Sequence, residues 1–290
     1  MKKMLLLVII MLRIHAPAQS FLKPGSYSYK VIHAIHHGHY TEADSLLKLS
    51  LNRNISQASL DFLKTNYFWW QMVTSPDEKS LRDSLRKYIL KTEKQIPQQT
   101  KNQDEYYIRL MNYGFRFRLA FKEDRFLEGL KYSHKLTGAI RYAIDSAEKS
   151  PFLKLTAAIY LFSAGYGKQK YWYFYPYFLL IPEGNETQGL KYLHELSRHP
   201  NPAISTEATY ILMRIYKDLY HDYQKALPLA EKLARQYPDN FFYRAIFLQI
   251  KEKTGADIAT DIRQFEADIR NFHFRSGKRK IFLSDWRHVP

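Results

Sequence analysis

The chain contains no cysteine. That excludes disulfides, thiolate metal sites and a lipid anchor carried on cysteine, so the fold must rest on packing alone. Strand signals are nearly missing too. The one β-leaning run, Tyr171–Ile181, is interrupted by Pro176, which cannot donate to a sheet ladder. No Gly/Ser/Pro-rich linker divides the chain, and the nearest candidates, Pro97–Lys101 and Ile181–Glu186, are the size of helical-hairpin turns. Acidic residues are in deficit: 28 Asp and Glu against 44 Lys and Arg give a formal net charge of +16. Long apolar runs are absent as well. Met4–Leu12 is the longest near the start, and its nine residues fall short of the ~20 that cross a bilayer.

What is present begins with that short run. Lys2 and Lys3 precede it, and Ala16-Pro17-Ala18 follows with small residues spaced for cleavage. Residues 1–18 therefore read as a signal peptide of bacterial style, with Gln19 as the mature N-terminus. The expectation is an exported protein of the periplasm or cell envelope, soluble or peripheral and not a lipoprotein. Removing Lys2, Lys3 and Arg13 leaves a mature charge of about +13. The remaining chain is 46% hydrophobic and 16% aromatic over its full sequence, which excludes a disordered polymer.

Apolar spacings of three and four dominate, so the fold class is all-α. They predict about six antiparallel helical hairpins: 27–37 with 40–53, 57–73 with 77–95, 103–122 with 124–147, 150–165 with 187–198, 203–218 with 222–236, and 239–253 with 256–271. In the third hairpin the first helix is expected to bury Tyr107, Leu110, Met111, Gly114 and Phe117. Ser150-Pro151 and Asp239 or Asn240 are good helix starts, and Gly255 is a good stop.

Two places carry a repeat signature. Leu212, Tyr216, Tyr223, Ala226 and Pro238 stand near the offsets of one helix–turn–helix unit. Gly38, Tyr40 and Ala43 repeat its inter-helix turn near the start of the mature chain. The small residue lets two helices approach just after the turn, the tyrosine covers the open end, and Pro238 follows the second helix. On these residues the chain resembles the tetratricopeptide-repeat family. Tyr216 to Tyr223 is one residue longer than that family's pattern, His221 stands where it has glycine, and Pro228 is tolerable only in a first turn. The resemblance implies an α-solenoid, a right-handed superhelix over residues 19–272, that binds a partner in its concave groove.

An insertion at 165–186 breaks the regularity. Its run Tyr171, Trp172, Tyr173, Phe174, Tyr175, Pro176, Tyr177, Phe178 either fills core or forms an exposed aromatic lip. The tail 273–290 interleaves Lys278, Arg279 and Lys280 with Phe274, Phe282 and Trp286. The basic balance favours anionic partners, and export sets nucleic acid aside. The expected partner is a protein or an anionic envelope component, with peripheral membrane contact as an option. Tyr171, Trp172, Tyr173, Tyr175, Tyr177, Lys278, Arg279 and Lys280 are the candidate contact residues.

Signals for chemistry are thin. His33 and His37 share a helix face at i,i+4, a two-ligand metal spacing. Further ligands would have to come from His39 or Asp44, so the plainer reading is a group of solvated histidines and no metal. His194 and His199 stand five apart, one too many for a zinc-protease pair. No carboxylate pair is singled out. The expectation is a non-catalytic interaction or scaffold module without cofactor. The alternative is a helical-toroid enzyme acting on envelope polysaccharide or peptidoglycan.

Overall fold

The computed structural model describes residues 22–50, 55–73, 79–97, 100, 102–123, 125, 136–170 and 179–271. Among them are twelve α-helices and no strand, so the protein is all-α. The helices are α1 (Tyr27–His36), α2 (Tyr40–Leu49), α3 (Gln57–Val73), α4 (Lys79–Gln95), α5 (Gln103–Lys122) and α6 (Thr137–Asp145). They continue with α7 (Pro151–Lys170), α8 (Glu186–Leu196), α9 (Pro202–Arg214), α10 (Tyr223–Gln236), α11 (Phe241–Lys253) and α12 (Ala259–Asn271). Polar caps start many of them. Ser26, Asn185, Asn201, Asp222 and Asn240 each accept from a backbone N–H of the helix that follows.

Successive helices pack in pairs, α1 on α2, α3 on α4, α7 on α8, α9 on α10 and α11 on α12. The odd-numbered helices also touch in order: α1 on α3, α3 on α5, α5 on α7, α7 on α9. The circuit then closes, because α9 packs back on α1. An open superhelix would keep its first and fifth inner helices apart. Here Trp70, Tyr210, Phe242 and Tyr243 pack ring on ring between them, with centroids 5.2–6.1 Å apart, and draw the inner helices together.

The two signature turns have matching backbones. Gly38 takes φ +76 and His221, its counterpart, takes φ +53. After Gly38 the chain forms a Schellman cap, with Gly38 N–H donating to the Ile35 carbonyl and His39 N–H to that of Ala34. Ala43 and Ala226, five residues past each positive-φ position, are fully buried. The extra residue between Tyr216 and Tyr223 is absorbed by a π-helical turn at Ile215–Leu219, where Tyr220 N–H bonds the Ile215 carbonyl five residues back. Pro228 lies inside α10, beyond the first turn that the sequence reading required. It is tolerated because Gln224, whose carbonyl it leaves without a helical donor, is on the exposed side.

Two further expectations are corrected. The buried stripe of α5 is Tyr107, Ile108, Met111, Asn112, Phe115 and Leu119, while Phe117 is 38% exposed. The helix is contacted by α3, α4, α6 and α7; Tyr107 and Phe115 meet Phe62 of α3, Tyr107 also meets Phe152 of α7, and Asn112 donates to the Ile89 carbonyl of α4. Secondly, α7 does not end at Gly165 but runs to Lys170. The glycines there serve close packing. A Cβ on Gly165 would meet the Glu186 nitrogen at 2.5 Å, one on Gly184 the Gly165 nitrogen at 2.1 Å, and one on Gly189 the Phe162 nitrogen at 2.5 Å. All three clashes are with backbone, which cannot swing aside.

Two stability tests follow from these backbones. Gly189→Ala should destabilise by about 1–3 kcal/mol in urea unfolding, whereas Gly114→Ala, mid-helix with open space around it, should stabilise by about 0.4–1 kcal/mol. His221→Gly should raise stability by up to about 1 kcal/mol, because glycine occupies positive φ without the steric cost. Equal effects of the two glycine-to-alanine changes would contradict the close α7–α8 approach.

Candidate functional site

The strongest concentration of perturbed groups lies where the circuit closes. His36, the last residue of α1, is buried, and its Nδ1 is 3.0 Å from the Tyr243 hydroxyl of α11. Its Nε2 is 3.7 Å from Glu207 Oε1 on α9. Trp70 of α3 meets the imidazole edge-on at 5.5 Å, and Tyr237 lies 5.8 Å away. The Tyr237 hydroxyl is 2.5 Å from Thr206 Oγ1. Three helices and one loop thus send polar atoms to one place, and α3 adds the Trp70 ring.

The electrostatics follow from burial. Glu207 keeps only 15% of its side-chain exposure, and desolvation pushes its carboxyl up to about 7 against the opposite pull of Arg118. Burial, then His33 and His37, push His36 down to about 3, so its ring is neutral at pH 7. Burial raises Tyr237 to about 12 and holds Tyr243 well above its ordinary range. A carboxyl that titrates near neutrality beside a neutral imidazole is the pairing that acid–base catalysis uses. The crevice next to it, lined by Tyr29, Ile32, His33 and Tyr237, is too narrow to admit water. As folded, that crevice leaves no room for a substrate beside the pair.

The repeat-signature residues are likewise structural. Leu212, Ala43 and Ala226 have no exposed surface. The Tyr40 hydroxyl donates to the Trp70 carbonyl at 3.3 Å, joining the first two hairpins. The Tyr216 hydroxyl is 2.8 Å from His194 Nε2. Tyr223 packs on the core edge and Pro238 begins the turn after α10. The candidate contact residues Tyr171, Trp172, Tyr173, Tyr175, Tyr177, Lys278, Arg279 and Lys280 lie outside the described residues, as do residues 1–18 and the tail 273–290. Their described neighbours Leu179 and Leu180 are exposed at 66% and 64%.

The histidine-rich turn is rearranged from its reading in sequence. His33 and His37 do meet, with ring centroids 4.3 Å apart and planes tilted by 40°. Asp44 is taken up by Lys48 at 2.8 Å. His39 turns instead to Asp239, 200 positions on, at 3.0 Å. His199 accepts from Asn201 N–H and is separate from His194, as their i,i+5 spacing implied.

The chain matches no family model, no curated protein and no solved structure. Its likeness to tetratricopeptide repeats accordingly rests on its own residues.

Sequence reasoning missed Glu207 and Asp239. For Glu207 a signal existed. It sits between Ile204 and Tyr210 and beside Ala203 and Ala208 in the buried face of α9, where an acid is out of place. Its titration gives a test. The unfolded carboxyl titrates near 4.5 and the folded one near 7, so its contribution is full below 4.5 and is lost as pH rises to 7. His36 opposes this, gaining stability as pH rises from about 3 towards 6.5. Glu207→Gln should remove the loss. Its stability relative to wild type should grow by on the order of 1–3 kcal/mol between pH 4.5 and pH 8, measured by urea denaturation. A difference independent of pH would show that the carboxyl is not held up by burial.

Proposed function

We propose that the protein is a non-catalytic helical-repeat interaction module of the bacterial cell envelope, exported, that binds a protein partner or an anionic envelope component. The observation that carries this reading is the pair Leu179 and Leu180, two large apolar side chains held in water beside the aromatic run 171–178. Exposing adjacent leucines costs solubility, and a binding surface is the usual reason a protein keeps them. The tight α7–α8 hairpin supplies a rigid base for the segment, through Gly165, Gly184 and Gly189.

Charge supports the same reading. Around Tyr88, Lys64, Lys87 and Lys91 place their ammonium groups 5.2–5.8 Å from one ring centroid. That ring stacks on Phe68 at 5.4 Å. None of the three lysines forms an ion pair among the described residues. Three like charges at such a spacing repel one another, and an anionic ligand relieves that cost. The repeat arrangement is supported by the matched turns at Gly38 and His221, and export by Lys2, Lys3, the Met4–Leu12 run and Ala16-Pro17-Ala18. Among the described residues no helix is long and apolar enough to cross a membrane, in keeping with peripheral attachment.

The enzyme alternative has one observation in its favour, the Glu207–His36 pair inside a closed circuit of helices. Loss of a polymer-cleaving activity in Glu207→Gln would select it.

Cosedimentation of the full chain with vesicles of anionic lipid tests the module reading. Binding should exceed that to zwitterionic vesicles. Leu179→Ser with Leu180→Ser, or Trp172→Ala, should weaken it about tenfold or more at every salt concentration. Charge reversal at Lys64, Lys87 and Lys91, or loss of Lys278, Arg279 and Lys280, should weaken it mainly at low salt, since exposed charges act within a Debye length of about 8–10 Å. Binding indifferent to all of these changes would sink the proposal.

A further inference from the structure

We infer that His37, His39 and Asp239 form a binding site for a zinc ion that joins the first helical hairpin to the loop before α11. One ligand atom from each residue can be chosen such that all three lie within 4.8 Å of one another. A tetrahedral ion with bonds of about 2.0–2.2 Å holds its ligand atoms about 3.3–3.6 Å apart. His39 Nε2 and Asp239 Oδ2 are already 3.0 Å apart, so small side-chain rotations, chiefly of His37, complete the set.

The backbone on both sides is fixed before any metal arrives. On one side, His37 and His39 flank Gly38 in the Schellman cap of α1. Gly38 is required twice over: its φ is positive, and a Cβ there would meet the Asp239 carbonyl oxygen at 3.1 Å. On the other side, Asn240 caps α11 through Phe242 and Tyr243 N–H, and its own amide donates to the His36 carbonyl at 2.7 Å. The residues on either side of the cluster are therefore bonded across the same junction. The edge of Tyr237 supports the His37 ring at 4.8 Å.

His39 stands between two carboxylates. Its Nε2 faces Asp239 at 3.0 Å and its Nδ1 faces Glu42 at 3.4 Å. A neutral imidazole has one N–H and serves one carboxylate. The Nε2–Asp239 contact is a hydrogen bond that shares one proton. A metal ion can take the place of that proton, with Nε2 and the carboxylate both as ligands, while Glu42 stands 3.4 Å from Nδ1 on the far side of the ring, where an outer acid can fix the tautomer. Two imidazoles and one carboxylate suit zinc and its first-row neighbours. Magnesium and calcium prefer all-oxygen sets, and no thiol is available to attract softer ions. The half-exposed site leaves a fourth position for water.

The test is calorimetric titration of the full chain, freed of metal with chelator, with zinc chloride. One ion should bind per chain, and magnesium should give no heat. His39→Gln and Asp239→Asn should each weaken zinc at least tenfold, while His221→Gln, at an exposed turn elsewhere, should not. Thermal unfolding with and without zinc provides the structural readout. Zinc should raise the wild-type midpoint by several degrees and leave that of His39→Gln and Asp239→Asn unchanged. His37→Gln, which keeps the His39–Asp239 contact, covers the case in which either variant folds poorly without metal. Wild-type zinc affinity in all three variants would overturn the inference, as would wild-type protein that takes up no zinc.

Discussion

Everything in this protein hangs on one close approach of main chain to main chain. The turn at Gly38 lies against the loop at Asp239 closely enough that a methyl group there would sit 3.1 Å from the Asp239 carbonyl oxygen. Asn240 secures the contact by doing two jobs. It caps the start of α11 with its side-chain oxygen and satisfies the end of α1 with its side-chain nitrogen. A helix end normally leaves carbonyls to find partners in water. Here one of them is spent on holding together residues 204 positions apart in sequence.

Closure decides what the interior can be. Once α9 lies on α1, the inner faces of the helices no longer border a groove but bury one another. Tyrosine and tryptophan serve well in such a place, since each fills volume and still offers a polar atom. Tyr243 reaches His36, Tyr237 reaches Thr206, and Tyr40 reaches the Trp70 carbonyl. Glu207 is the costly member of this set, an acid held half-protonated near neutral pH among rings.

How much of this was legible in sequence depends on whether the cause was local. The helices were, because caps such as Asn240 and Asn201 and spacings of three and four act within a few residues. Gly38 and His221 were legible as a matched pair of turns, and the residue too many before Tyr223 correctly marked an irregularity, which the chain resolves as a π turn. The face of α5 was misread because Phe117 is apolar and suitably spaced. Only the positions of α3, α4 and α7 decide which stripe is covered. The first helix of the fourth hairpin was expected to stop at 165; the use of Gly165 and Gly189, contact between two backbones, is invisible until both helices are placed. Asp239 gave no signal at all. Its neighbours in sequence are turn residues, and its partner lies at the opposite end of the chain.

The closure also sets an order in time. A ribosome delivers α1 first and α11 almost last, so the oldest helix spends nearly the whole of synthesis without the surface it is shaped to meet. Until α9 is made, Val31, Ile32 and Ile35, all buried at the end, have only α2 and α3 to cover them. Drawing together segments this far apart adds little entropy per extra residue, but it cannot begin until the last of those residues exists. The first hairpin is therefore a waiting partner, and the chain becomes a single cooperative body only when its two ends recognise each other.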